Sequence, residues 1–281
     1  MRTVHPTQAS CLLVTMLLAA APLYAQQAPR IGQSAGNRTP PAVSARAAAP
    51  FDATGYWVSL VTQNWRYRMV VPAHGDYAGI PINAKARSFA NAWNAAGDVA
   101  AGKACEAYGA PNLMQIPERL QIDWQDQQTL RVATDAGGQT RLLHFGAADD
   151  ASTDDASADA ASADNVAASL QGYSRAHWQL FTLANSFGAA DRPKGQRYGS
   201  LIVVTDHLLP GLLRKNGVPY GSAARMSEYW KVLGLGSEQW LTISTSIKDP
   251  EYLLGPYVYD SLFQREADGS QRDPSPCSLT S

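Results

Sequence analysis

The chain has 281 residues, of which 45% are hydrophobic and 17% charged, and its formal net charge is −1. That length holds one large domain or two small ones. A near-neutral chain with no basic stripe makes a poor nucleic-acid binder, because phosphate contacts need clustered Lys and Arg.

The N-terminus carries the first signal. Arg2 precedes an apolar run from Cys11 to Ala21, which leads into Pro22, Leu23, Tyr24 and Ala25. A basic start, a short apolar stretch and a small residue at its exit describe a secretory signal peptide over residues 1–25, cut after Ala25. The run is too short to span a bilayer comfortably, so an uncleaved anchor is the weaker alternative. Cys11 stands at the start of the apolar stretch rather than after it and is not placed like a lipoprotein cysteine. The mature protein is expected to be periplasmic or secreted, with no membrane insertion after signal removal. Two cysteines then remain, Cys105 and Cys277, and an oxidising compartment favours a disulfide between them over two free thiols.

Residues 26–50 are rich in Ala, Pro, Arg and Ser and read as a disordered leader. The folded domain is expected over 51–281. Its first strand alternates through Trp57, Ser59 and Val61, and a second is predicted where Trp65, Tyr67, Met69 and Val71 share a face opposite Arg66 and Arg68. Asn83 to Ala96 has near-helical spacing with Asn83 as N-cap, so one helix is predicted there, packed on or plugging the sheet. Leu120, Ile122 and Trp124 turn through Asp126-Gln127-Gln128 into Leu130, Val132 and Thr134, a hairpin. Another strand follows from Gln139 to Phe145. Residues 147–169 contain little but Ala, Asp and Ser and read as a disordered acidic insertion. They lack the glycine turn and terminal Glu of a calcium loop. Gly172 to Leu183 is assigned a short second helix. Further strands are predicted over Leu201–Leu208, Met226–Leu233, Trp240–Ile247 and Tyr257–Gln264. The whole reads as mostly β: an antiparallel up-and-down meander of eight or nine strands, closed or nearly closed into a calycin-like barrel, with one or two short helices.

Several stretches resemble a family of uncharacterised exported bacterial proteins: GYW (55–57), WRYRM (65–69), PAHGDY (72–77), the hairpin at 117–145, LRKNGVPY (213–220) and SIKDPEYLLGPY (246–257). The resemblance covers nearly all of residues 51–277. It implies a secreted β-rich domain of unknown activity and brings no catalytic residues with it; the acidic insertion is an addition to the pattern. The Gly55-x-Trp57 opening is also similar to the start of lipocalins, where that Trp sits at the closed end of the barrel. The partner Arg that lipocalins carry near the last strand has a candidate in Arg265.

Motifs of chemistry are sparse. Gly32-Gln33-Ser34-Ala35-Gly36 matches the hydrolase elbow, but it lies in the leader with no strand before it, so it is set aside. His74, His144, His177 and His207 have no metal-ligand spacing, and no metal or cofactor is expected. Asp206 to Tyr220 is the most unusual segment, an expected irregular excursion decorating a barrel mouth. Within reach of it, His207 with Glu228 or Asp206 are the weak catalytic candidates, as base and orienter, with Arg214 stabilising an anion. Trp65, Tyr67, Tyr77, Tyr257 and Tyr259 are expected to line a cavity or to fill the core, with Arg66 or Arg68 orienting an anionic group.

Three functions follow. The leading one is a binding module that holds a small, partly apolar or aromatic molecule in the barrel cavity, lined by Trp65, Tyr67, Arg68, Tyr77, His207, Arg214 and Tyr257. The second is a secreted hydrolase or lyase built on His207. The third is an envelope structural or interaction protein without a ligand.

Overall fold

Nine strands close into a barrel because alternation puts one face of each inward and the inward faces together fill the lumen. The computed structural model describes residues 43–146, 166–181, 197–235 and 238–279. The expected signal peptide, the leader up to residue 42 and the acidic tract at 147–165 lie outside the described residues. Around the barrel the order is β1 (Gly55–Leu60), β11 (Tyr257–Glu266), β10 (Glu238–Lys248), β9 (Arg225–Leu235), β6 (Tyr198–Asp206), β5 (Tyr173–Phe181), β4 (Thr140–Phe145), β3 (Thr129–Thr134) and β2 (Arg119–Trp124). Between β6 and β9, β7 (Gly211–Arg214) and β8 (Val218–Tyr220) form a separate two-stranded hairpin.

A ring of nine strands cannot close through antiparallel pairs alone, since direction alternates and an odd count brings two like-directed strands together. The seam is β4 against β5, which run parallel with Leu143 opposite Ser174 and Phe145 opposite Ala176. All other neighbours in the barrel are antiparallel. A parallel neighbour needs a crossover connection, and residues 146–172, which contain the acidic tract, supply it.

Two expected elements differ. The predicted strand at Trp65–Val71 is instead a short helix, α2 (Trp65–Arg68). Asn64 adopts a left-handed φ of 55°, which Asn tolerates, and its carbonyl accepts from Tyr67 and Arg68 to start the turn. The predicted helix after Gly172 is β5, whose two buried inward residues, Ser174 and Ala176, are too small to show as apolar alternation ahead of Trp178 on the same face. The helix predicted at Asn83–Ala96 divides into α3 (Ala84–Ala92) and α4 (Ala95–Ala100), with Asn83 capping α3 by accepting from the Ala86 amide at 2.9 Å. The expected leader also contributes structure: α1 (Ala45–Ala48) packs on the barrel, where Trp178 donates to the Ala45 carbonyl at 2.8 Å.

At that end Trp57 is fully buried and donates to the Ala53 carbonyl at 2.9 Å. Arg265, directly across the ladder from Trp57, lies over its ring at 4.4 Å and donates to the Thr54 and Asp52 carbonyls. The opposite mouth is closed by a plug, a 3-10 turn (Ala104–Tyr108) running into α5 (Ala110–Leu113). Three inward groups of β11 receive it: Tyr259 donates to the Pro111 carbonyl at 3.0 Å, Ser261 to the Met114 carbonyl at 2.6 Å, and Tyr257 to the Gln115 amide oxygen at 3.0 Å. Leu113 and Met114 are fully buried in the lumen core. A second apolar cluster, built from α3, the β7–β8 hairpin and Ile80, covers the plug. Cys105 and Cys277 form a disulfide that ties the plug to the C-terminal tail. Among the described residues no helix is long and apolar enough to cross a membrane.

Candidate functional site

The lumen is filled. Apolar side chains occupy the Trp57 half, and toward the plug the register sets Glu228, Thr245 and Tyr259 side by side on β9, β10 and β11. Arg141 reaches across to Glu228 in a fully buried two-bond pair, at 3.1 and 2.7 Å, and also meets Ser174 and Thr205. A buried carboxylate and guanidinium each satisfy the other's charge, which leaves neither free for a ligand.

Space lies beside the mouth. A cleft of about 250 Å³ opens between three segments: residues 67–72 after α2, residues 112–117 at the end of the plug, and residues 213–215 at the end of β7. Its walls are apolar, through Tyr67, Met69, Val70, Val71, Ile116 and Leu213, and its amides are Asn112 and Gln115. Three cations line it, Arg68, Arg214 and Lys215, and among the described residues no carboxylate does.

Arg68 and Arg214 are held by neutral groups. Arg214 stacks on the Tyr67 ring at 4.3 Å and donates to the Ala78 carbonyl at 3.0 Å. Arg68 donates through Nε to the Gln115 carbonyl at 2.7 Å and through Nη2 to the Ser59 hydroxyl at 3.3 Å, while its Nη1 has no hydrogen-bond partner. Burial lowers the Arg68 pKa, against the pull of Tyr259 and Tyr257. Lys215 donates to the Tyr108 hydroxyl at 2.9 Å and rests over that ring.

Of the residues expected to bind a ligand, the structure brings Tyr67, Arg68 and Arg214 together here, with Tyr257 behind them through Gln115. The others part. Trp65 projects outward, 67% exposed, because α2 turns it away from Tyr67. Tyr77 is buried in the covering cluster with its hydroxyl on Asn91. His207 directly follows β6 with a left-handed φ of 54°, and its Nδ1 is 2.7 Å from Asp206. Asp206 is shared with Arg175; burial works to raise its pKa, but the hydrogen bonds from Arg175 and His207 outweigh it and hold the carboxyl below its usual value. Glu228, the other partner suggested for His207, is committed to Arg141 in the lumen.

Sequence reasoning missed Asn112, Gln115 and Lys215, for which no local signal exists. It also missed the Arg141–Glu228 pair, and there the signal was present: both are charged residues on the inward phase of an otherwise apolar strand face. No family model, no curated protein and no solved structure matches this chain.

Proposed function

We propose that this is an exported binding protein that holds a small, partly apolar molecule in the cleft beside the barrel mouth rather than along the barrel axis. The observation that carries this is the placement of free space: the lumen is packed, whereas the cleft joins apolar walls to fixed amides and cations, the usual make-up of a small-molecule site. Its volume is below the common range of about 300–1,000 Å³, so the ligand is a single ring or a short chain.

Native mass spectrometry of the protein from its own host tests the reading. A co-purifying small molecule that is lost in Tyr67→Ala supports it. A bare mass, with no small aromatic or short-chain compound shifting the melting temperature, overturns it. The same spectrum tests export: the mature chain should begin at Gln26, and an intact Met1 in the envelope fraction would refute cleavage after Ala25.

A further inference from the structure

Only two cations among the described residues are buried, Arg141 and Arg214. Arg141 has a carboxylate on two of its nitrogens. Arg214, 7% exposed, has one carbonyl and one aromatic face. A buried charge is ordinarily paired, since leaving water without a counter-charge is costly. Arg68 repeats the pattern a few residues away in the lining: it is partly buried, lacks a carboxylate partner among the described residues, and has one nitrogen with no acceptor. Elsewhere the molecule pairs its cations readily, Arg66 with Asp76 and Arg175 with Asp206 among them. Arg265 at the other end of the barrel is also held by two carbonyls and an aromatic ring, so the mark of the cleft is that two such guanidiniums line one open space.

From this we infer that the ligand carries an oxyanion, a carboxylate or a phosphate, that supplies the missing counter-charge between Arg68 and Arg214 while its apolar part lies against Tyr67, Val70 and Leu213. This rests on the cleft being the binding site. The chemistry favours it over a neutral ligand on two grounds. Charge-assisted bonds to a guanidinium are the strong ones and are planar and forked. The carbonyl and hydroxyl partners now present also leave donors to spare, since a guanidinium has five. Lys215 adds a third positive charge at the rim.

Calorimetry on the full chain with matched one-ring probes tests it: benzoate, phenyl phosphate, benzyl alcohol and benzylamine. Benzoate or phenyl phosphate should bind about tenfold to a hundredfold more tightly than benzyl alcohol, benzylamine should not bind, and added salt should weaken the anions alone. Which of the two anions is tighter distinguishes a carboxylate ligand from a phosphate one. Arg214→Gln and Arg68→Gln should each weaken the two anions far more than benzyl alcohol, so that the preference for an anion is lost. Should either variant fail to fold, the comparison of probes on the unaltered protein still decides. Benzyl alcohol binding as well as benzoate would overturn the oxyanion and spare the cleft. No binding by any probe would remove both.

Discussion

Glu118 shows how far one side chain's surroundings set its charge. It is buried just after the cleft-lining residue Pro117, with one oxygen accepting from the Ala136 amide at 3.1 Å and the other without a partner. Burial pushes its pKa well above the ordinary carboxylate range; the Ala136 amide opposes that shift, and the charge of Asp135 adds to it. A carboxyl whose folded pKa lies above its unfolded value stabilises the fold fully below the unfolded pKa, near 4.3, and loses that contribution as pH rises through the folded value. Glu118→Gln removes the ionisation, so the variant should match the parent at pH 4. At pH 8 it should exceed the parent by about 1–3 kcal/mol, the cost of an unsatisfied buried polar group. Urea titrations at the two pH values check this, and equal midpoints at both would refute it. The lumen pair behaves oppositely. Glu228→Gln leaves Arg141 buried without its counter-charge and should cost about 3–5 kcal/mol, whereas replacing both by Met and Leu should recover most of that loss. Equal losses in the single and double variants would mean that packing, not charge, sets the penalty. This pair was legible in principle, because Arg141 keeps phase with Leu143 and Phe145, and Glu228 with Met226 and Trp230. Two opposite charges on the inward phase of one barrel have each other as natural partners.

Among the elements, those with large inward side chains were the legible ones. β2, β3, β4, β9, β10 and β11 each place Leu, Ile, Val, Met or aromatic residues at most of their inward positions and end in recognisable turns, so alternation alone predicts them. β5 escaped because Ser174 and Ala176 begin its inward phase. Residues 65–68 misled because four residues cannot distinguish a period of 2 from one of 3.6, and the deciding feature was the backbone of Asn64. The hairpin of β7 and β8 was expected as an irregular excursion. It tolerates Pro219 because a two-stranded ribbon leaves one edge of each strand unpaired. The β4–β5 connection yields a prediction of its own. The parallel register needs the chain to descend only about 10 Å, from the level of Ala176 to that of Tyr173. Ser169 is held by the backbone of His207 and Leu209, so with 147–165 removed, residues 146 and 166–168 must span from Phe145 to Ser169, and when extended they reach roughly 17 Å. Deletion of the acidic tract should therefore leave the melting temperature within about 2 °C, in line with surface changes of about 0.5 kcal/mol. A large drop would show that the tract makes contacts the barrel needs.

At the scale of the whole molecule, the plug joins two apolar cores that would otherwise be separate. Leu113 and Met114 belong to the lumen core, Ala110 to the cluster above it, and Asn112 and Gln115 to the cleft. No local pattern announces this segment, because its role comes from residues far away in the chain that receive it, namely Tyr257, Tyr259 and Ser261. Its outer end is fixed to the tail by the Cys105–Cys277 disulfide, which closes a loop across most of the barrel. In the chain-entropy account such a loop is worth up to about 5 kcal/mol. Other bonds hold the tail as well. Arg272 and the Asp273 amide bind the Asp135 carboxylate, the Ser275 amide donates to the Asp135 carbonyl, and Tyr108 donates to the Ser278 carbonyl at 2.8 Å. With these in place the barrel should survive loss of the bridge, and the plug should loosen first. Cys105→Ser with Cys277→Ser should thus lower stability by about 2–5 kcal/mol, raise hydrogen exchange in 104–116 and 270–279 while sparing β9 to β11, and weaken any cleft ligand because one of its three walls rides on the plug. If exchange rises evenly across the barrel strands instead, the plug is a keystone of the whole fold, and binding and folding will be lost together.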